Sequence, residues 1–258
     1  MKNTLYKSLE ESGKILKEYM DKDFAIESKD IISNLVTEVD KRSEARIIEI
    51  IKAQFPKHNI LSEEIGAIDK DSDTKWIIDP IDGTINYAHG IQICCVSIGI
   101  EKAGEIIMGG IFNPFSGELF FAEKGKGSFF NDRNIKVSNE TIIDKSLLVT
   151  GFPYNTGNNP NNPVEVFAAF VNKDIPIRRL GSAALDICWT ACGRFDGFWE
   201  YNLNPWDVAA GCLILNEAGG KITDFEGKEY SIYGKEILAT NGQIHDEMLR
   251  VIHGVKKK

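Results

Sequence analysis

The sequence predicts an α+β fold, with an antiparallel sheet in the first half and alternating strands and helices in the second. Two observations carry this. Across residues 91–137, short apolar runs follow one another through Gly-containing turns too short for crossover helices, so neighbouring strands run antiparallel. Beyond residue 141, strand-like runs alternate with segments of helical period. A chain of 258 residues buries a substantial core, as one large domain or as two packed halves, 1–140 and 141–258. No internal repeat or long linker is present.

Leu5, Leu9, Leu16 and Tyr19 share one helical face, which predicts a helix over 3–20. Residues 26–34 are polar and read as a loop containing Lys29 and Asp30. Thr37 opens a second helix with a T-x-x-D capping pattern closed by Asp40, and Val36 is placed as its hydrophobic staple. Ile47, Ile48, Ile51 and Phe55 continue that helix to Pro56. A short strand at Ile60-Leu61 leads into Ser62-Glu63-Glu64-Ile65-Gly66 and a charged loop over 69–75. Strands are expected at 76–78, 93–100, 105–112, 118–122, 127–130 and 135–137. In the second half, strands at 147–150, 176–180, 194–200, 221–223 and 237–239 alternate with helices at 164–171, 181–192 and 244–252. One further helix opens on Asn204 as N-cap and Pro205 at N1, and Gly219 ends it.

Composition narrows the function. A net charge of −8 and a pI of about 5.2 disfavour nucleic acid as a partner. No run approaches the length of a membrane span, and residues 1–20 lack the apolar region of a secretory signal. Five cysteines, an odd number, fit reduced thiols in the cytoplasm. Cys188 and Cys192 have helical spacing, but none of the four histidines complements them as ligands, so packing is the better reading.

The chemistry concentrates in residues 75–90, KWIIDPIDGTINYAHG. An apolar run delivers Asp79, Pro80 holds the backbone extended, and Asp82-Gly83-Thr84 form a tight turn. Two carboxylates beside an anion-accepting turn repel each other and any phosphate. A hard divalent cation such as Mg²⁺ resolves that conflict. Taken alone, D-x-x-D-G also fits an ordinary solvated turn.

With WIIDPIDGT over 76–84 and Asn86, NPWDVAAG over 204–211 and EAGG over 217–220, the chain resembles the inositol monophosphatase family of the fructose-1,6-bisphosphatase-like superfamily. Glu63-Glu64, residues 150–153 and Gly181-Ser182-Ala183-Ala184 support the match. The resemblance implies a layered αβαβα sandwich, antiparallel sheet first and mixed sheet second, with the site between the halves. It implies two or three Mg²⁺ ions held by Glu63, Asp79, the carbonyl of Ile81, Asp82 and Asp207. Thr84 and Glu63 would orient the attacking water, and the N–H groups of Gly83 and Thr84 would hold phosphate. Ser182, Ala183 and Glu200 would meet the polyol, with Lys29 and Asp40 around them. Asp40 thus has two readings, helix cap and site residue. Asp207 has two as well, since an Asp in a first helical turn also suits the helix dipole.

The activity implied is hydrolysis of a small polyol phosphate, inositol 1-phosphate to myo-inositol, by direct attack of water. Lithium sensitivity and a homodimer are implied too. Alternatives are fructose-1,6-bisphosphatase activity, for which Arg178 and Arg179 offer cations, then 3′-phosphoadenosine 5′-phosphate hydrolysis, and last a non-catalytic regulatory partner. An aspartyl-phosphate mechanism of the haloacid-dehalogenase type is disfavoured because Pro80 stands where that nucleophile would be. Departures from the family pattern are Ser62, where glycine is usual, and a short segment between Glu64 and Trp76.

Overall fold

A computed structural model describes residues 1–22, 24–28, 35–154 and 156–256. In chain order it contains α1 (Lys2–Tyr19), β1 (Ile26–Ser28), β2 (Leu35–Thr37), α2 (Glu38–Gln54), β3 (Asn59–Ser62), β4 (Gly66–Ile68), β5 (Thr74–Asp82), α3 (Thr84–Ala88), β6 (Cys95–Lys102), β7 (Glu105–Asn113), β8 (Glu118–Glu123), β9 (Ser128–Phe130) and β10 (Arg133–Asn134). There follow β11 (Leu148–Thr150), α4 (Pro163–Val171), β12 (Ile177–Arg178), α5 (Ala183–Ala191), β13 (Gly197–Tyr201), α6 (Pro205–Glu217), β14 (Lys221–Thr223), β15 (Glu236–Thr240) and α7 (His245–Lys256).

Among the described residues a large sheet runs β10-β9-β8-β7-β6-β5-β3-β4 and a second runs β12-β11-β13-β15-β14. The first is antiparallel apart from the β3–β5 pair. The second is mixed: β11 is parallel to β12 and β13, while β15 is antiparallel to β13 and β14.

Three apolar clusters mark the layers. Leu5, Leu9 and Leu16 of α1 and Ile47 and Ile51 of α2 pack on Trp76, Ile78, Val96 and Ile98 of the large sheet. Helices α5 and α6 fill the middle, between Ile111 and Phe120 on one side and Val149, Phe198, Ile237 and Ala239 on the other. The alternate residues Leu148, Trp199 and Leu238 face outward onto α4 and α7 through Phe170 and Met248. The order is therefore αβαβα, as the resemblance implied.

Several local expectations need correction. Residues 26–28 form a strand paired with β2 rather than a loop, and Lys29 and Asp30 lie outside the described residues. Strand β4 was not foreseen, because its three residues carry too little pattern. Residues 135–137 are not a strand; pairing ends at Asn134, after the tight turn at Asn131 and Asp132, both with positive φ. Strand β5 continues past Pro80 to Asp82, and a register shift between Asp79 and Asp82 accommodates the proline. No described helix is long and apolar enough to cross a membrane. The five cysteines are free, and four of them are buried.

Candidate active site

Strand β5 is buried through Trp76, Ile77 and Ile78, and it ends in the middle of the molecule. Asp79 folds its Oδ1 back to accept the N–H of Ile81 at 3.0 Å. Gly83 has φ +93, and a Cβ there would stand 2.9 Å from the Ile93 carbonyl, so only glycine fits. The N–H groups of the first turn of α3 are not used by that helix itself. Thr84 Oγ1 lies 2.9 Å from the Ile81 carbonyl and 3.2 Å from Asp40 Oδ1, and its proton serves either.

Asp40 caps α2 and also reaches Thr84. Its Oδ2 accepts from Thr37 N at 2.8 Å and Thr37 Oγ1 at 2.5 Å, which completes the α2 capping box, while Oδ1 faces Thr84. Asp207 combines a helix-start contact with a place in the cavity wall. It sits in the first turn of α6 and accepts from Asn204 N at 2.7 Å. Asp82 accepts from Ser182 Oγ at 2.6 Å and Ala184 N at 2.7 Å, at the start of α5. Glu63 follows β3, where its N–H donates to Ile78 O at 3.2 Å. Glu200, on β13, lies against Gly151, where a Cβ would overlap its carboxylate.

Glu63, Asp79, Asp82, Thr84 and Asp207 line one cavity of about 390 Å³, with Ser182, Ala183 and Glu200 completing the wall, while Asp40 stands behind Thr84 and outside the lining. Burial, then Glu63, Asp82 and Asp207, push the Asp79 carboxyl well above its usual range. Burial and the neighbouring Asp82 and Glu63 do the same to Asp207. Burial raises Asp82 to about 6, against hydrogen bonds from Ser182 and Ala184, and raises Asp40 to about 6. Glu200 is raised to about 8 by burial first and by Asp207 and Asp82 next.

Carboxylates crowded this way need a cation. The donors are all hard oxygens, which suits Mg²⁺. Among the described residues, no three His, Cys, Asp or Glu side chains are grouped closely enough to hold a metal ion as they stand.

Sequence reasoning left three residues out. Asp186, 1 % exposed, lines the cavity from α5. Its signal was a lone carboxylate in an otherwise apolar helix. Glu44 is buried beside the Glu63 turn and was hidden by the amphipathic pattern of α2. Asn204 was read only as a cap but also lines the cavity. Arg178 and Arg179 separate: Arg178 is exposed and bonds Ile177 O, whereas Arg179 lines the cavity rim.

The family model described as "Inositol monophosphatase family" matches residues 1–257. The chain belongs to the inositol monophosphatase family. It is 43 % identical over 228 residues to an inositol-1-monophosphatase of Synechocystis, covering 88 % of this chain and 79 % of that one. It is 38 % identical over 234 residues to a fructose-1,6-bisphosphatase/inositol-1-monophosphatase of Thermotoga maritima, covering 89 % and 87 %. The crystal structure of the extragenic suppressor protein suhB from Bartonella henselae superposes with a TM-score of 0.92 at 36 % identity, covering 97 % of each chain. Inositol monophosphatases are metal-dependent phosphatases that generally use Mg²⁺, and the oxygen-rich donor set of this member is consistent with that.

Proposed function

We propose that the chain hydrolyses a small polyol phosphate monoester with Mg²⁺, inositol 1-phosphate to myo-inositol, by direct attack of water. One observation carries the reading: carboxylates from the end of β3, from β5 and from α6 meet in a single cavity beside the Gly83-Thr84 turn. Glu63, Asp79, the Ile81 carbonyl, Asp82 and Asp207 are the residues that would hold Mg²⁺. Bound there, Mg²⁺ supplies positive charge that offsets the carboxylates and stabilises charge developing on oxygen. Thr84 Oγ1 and the Glu63 carboxylate hold and orient the water. The N–H groups of Gly83 and Thr84 hold phosphate oxygens. Glu200 retains its proton near neutral pH through burial, so it both donates to and accepts from a polyol hydroxyl, beside Ser182 and Ala183.

Fructose 1,6-bisphosphate is the second reading. Arg179 favours it, being a cation that lines the cavity near Glu200 and Asp186. A homodimer, lithium inhibition and a cytoplasmic setting for the free cysteines belong to the proposal as well. Phosphate release from inositol 1-phosphate, fructose 1,6-bisphosphate and 3′-phosphoadenosine 5′-phosphate, with Mg²⁺ and with a chelator, tests it. The expected result is Mg²⁺-dependent turnover fastest on inositol 1-phosphate. Turnover undiminished in chelator, or a trapped phosphoenzyme, overturns it.

A further inference from the structure

Helix α2 turns a polar stripe toward the site. Asp40, Ser43 and Glu44 fall three and four residues apart, on one face, and all are buried. Asp40 faces Thr84. Ser43 Oγ donates to the Pro80 carbonyl at 3.0 Å and stands 2.5 Å from Ser12 Oγ. Glu44 is 2 % exposed, and its Oε1 accepts from Ser62 Oγ, from Glu64 N at 3.0 Å and from Ile65 N at 3.3 Å. Those donors flank Glu63 on both sides. One carboxylate therefore fixes the backbone around Glu63, one helical turn from the carboxylate that holds Thr84.

We propose that Glu44 is a positioning residue: it clamps the 62–65 turn so that Glu63 faces Asp79 and Asp82, and α2 carries the clamps for Glu63 and Thr84 on a single rigid element. The roles of Glu63 and Thr84 rest on the phosphatase reading; the clamp itself rests on the hydrogen bonds. Removing a partner that orients a metal ligand typically costs about 10–100-fold in metal affinity or activity.

The test compares Glu44→Met, Glu44→Gln and Ser62→Ala with the parent in three measurements: calorimetric Mg²⁺ titration, initial rates on inositol 1-phosphate, and thermal melts. Glu44→Met removes the acceptor at similar volume. It is expected to weaken Mg²⁺ binding and lower kcat about 10–100-fold, with KM for the phosphate ester little changed. Glu44→Gln keeps an acceptor oxygen and is expected to retain near-parent values. A folded Glu44→Met that binds Mg²⁺ like the parent, or a Glu44→Gln impaired as severely as Glu44→Met, overturns the proposal. If Glu44→Met does not fold, Ser62→Ala decides. Loss of one of the three bonds is expected to weaken Mg²⁺ binding in smaller measure, and parent-like affinity overturns the clamp. A parent that binds Mg²⁺ but hydrolyses no monoester sinks the phosphatase reading alone, while the titrations still judge Glu44.

Discussion

Ser182 donates a 2.6 Å hydrogen bond to Asp82 across one hundred residues of sequence. Ala184 N adds a second to the same oxygen at 2.7 Å, so Asp82 acts as the N-terminal cap of α5 from outside that helix. The pattern recurs. Asp40 gives one oxygen to its own capping box and the other to Thr84. Asp207 engages one oxygen with Asn204 N, and Asp79 engages one with Ile81 N. Each carboxylate is held through one oxygen, which fixes where the other points. The protein thus builds a cluster of like charges from groups that already have local reasons to be where they are.

Asp82→Asn should separate the two jobs. The amide keeps an acceptor oxygen for Ser182 and Ala184, so α5 stays capped, but the charge is lost. Turnover at saturating Mg²⁺ is expected to fall by on the order of 10²–10³-fold or more. The metal-free melting temperature should hold or rise, because one of several crowded carboxylates has been neutralised. Phosphate-release assays and circular dichroism melts check this. An active Asp82→Asn would refute the role given to that carboxylate.

Stability should depend on pH and metal together. Glu200 has a folded pKa of about 8 against an ordinary 4.5, raised by burial and by Asp207 and Asp82. Between those values the folded protein binds more protons than the unfolded chain, so stability falls as pH rises through the window. His245 is lowered to about 4, so its contribution changes only between about 4 and 6.5 and does not interfere above that. In chelator, the melting temperature is expected to drop between about pH 6.5 and pH 8.5, with Mg²⁺ restoring more at the higher pH. Equal Mg²⁺ shifts at both values would count against the carboxylate cluster as the binding site.

What the sequence made legible follows its periodicity and its caps. Helix α2 was readable because Thr37 and Asp40 announce its start and Ile47, Ile48 and Ile51 its inner face. The same pattern concealed Glu44, since a buried carboxylate that serves a neighbouring turn looks no different in sequence from a solvated one. Asp79, Asp82 and Asp207 stood out by motif. Their convergence came from the resemblance, because strand order is set by long-range pairing that spacing does not encode. Strand β5 was expected to stop at Asp79; the bulge around Pro80 that carries it to Asp82 depends on β6 as a partner. Strands β4 and β10 are too short to leave a periodic trace.

Gly151 offers a probe of the polyol end of the cavity. A Cβ there would overlap both carboxylate oxygens of Glu200, a group that β13 holds 8 % exposed. Gly151→Ala is expected to displace Glu200 and raise KM for inositol 1-phosphate by about tenfold, the upper end of one lost neutral hydrogen bond, while Mg²⁺ affinity stays near the parent's. Gly157→Ala, where a Cβ meets nothing within 4 Å, is the matched control. A Gly151→Ala enzyme with unchanged KM would remove Glu200 from the substrate contacts.

Helix α6 carries Asp207, and its height above the large sheet is set by glycine. Gly99 and Gly109 are cross-strand partners on β6 and β7. A Cβ at Gly109 would stand 2.8 Å from both Cα and the carbonyl oxygen of Ala210, and one at Gly99 would stand 2.9 Å from the Ala209 Cβ. Backbone cannot swing aside as a flexible side chain can, so Gly109→Ala must lift the helix or bend the strand. Overpacking of this kind costs about 1–3 kcal/mol. Gly109→Ala is therefore expected to lower the melting temperature and, by moving Asp207 away from Asp79 and Asp82, to weaken Mg²⁺ binding in the same variant. Gly254→Ala, in α7 with open space around it, should be neutral or slightly stabilising through helix propensity alone. Calorimetric Mg²⁺ titration beside thermal melts distinguishes the two. If Gly109→Ala lost stability but bound Mg²⁺ as tightly as the parent, the seating of α6 on the glycine pair would matter to the fold and not to the site.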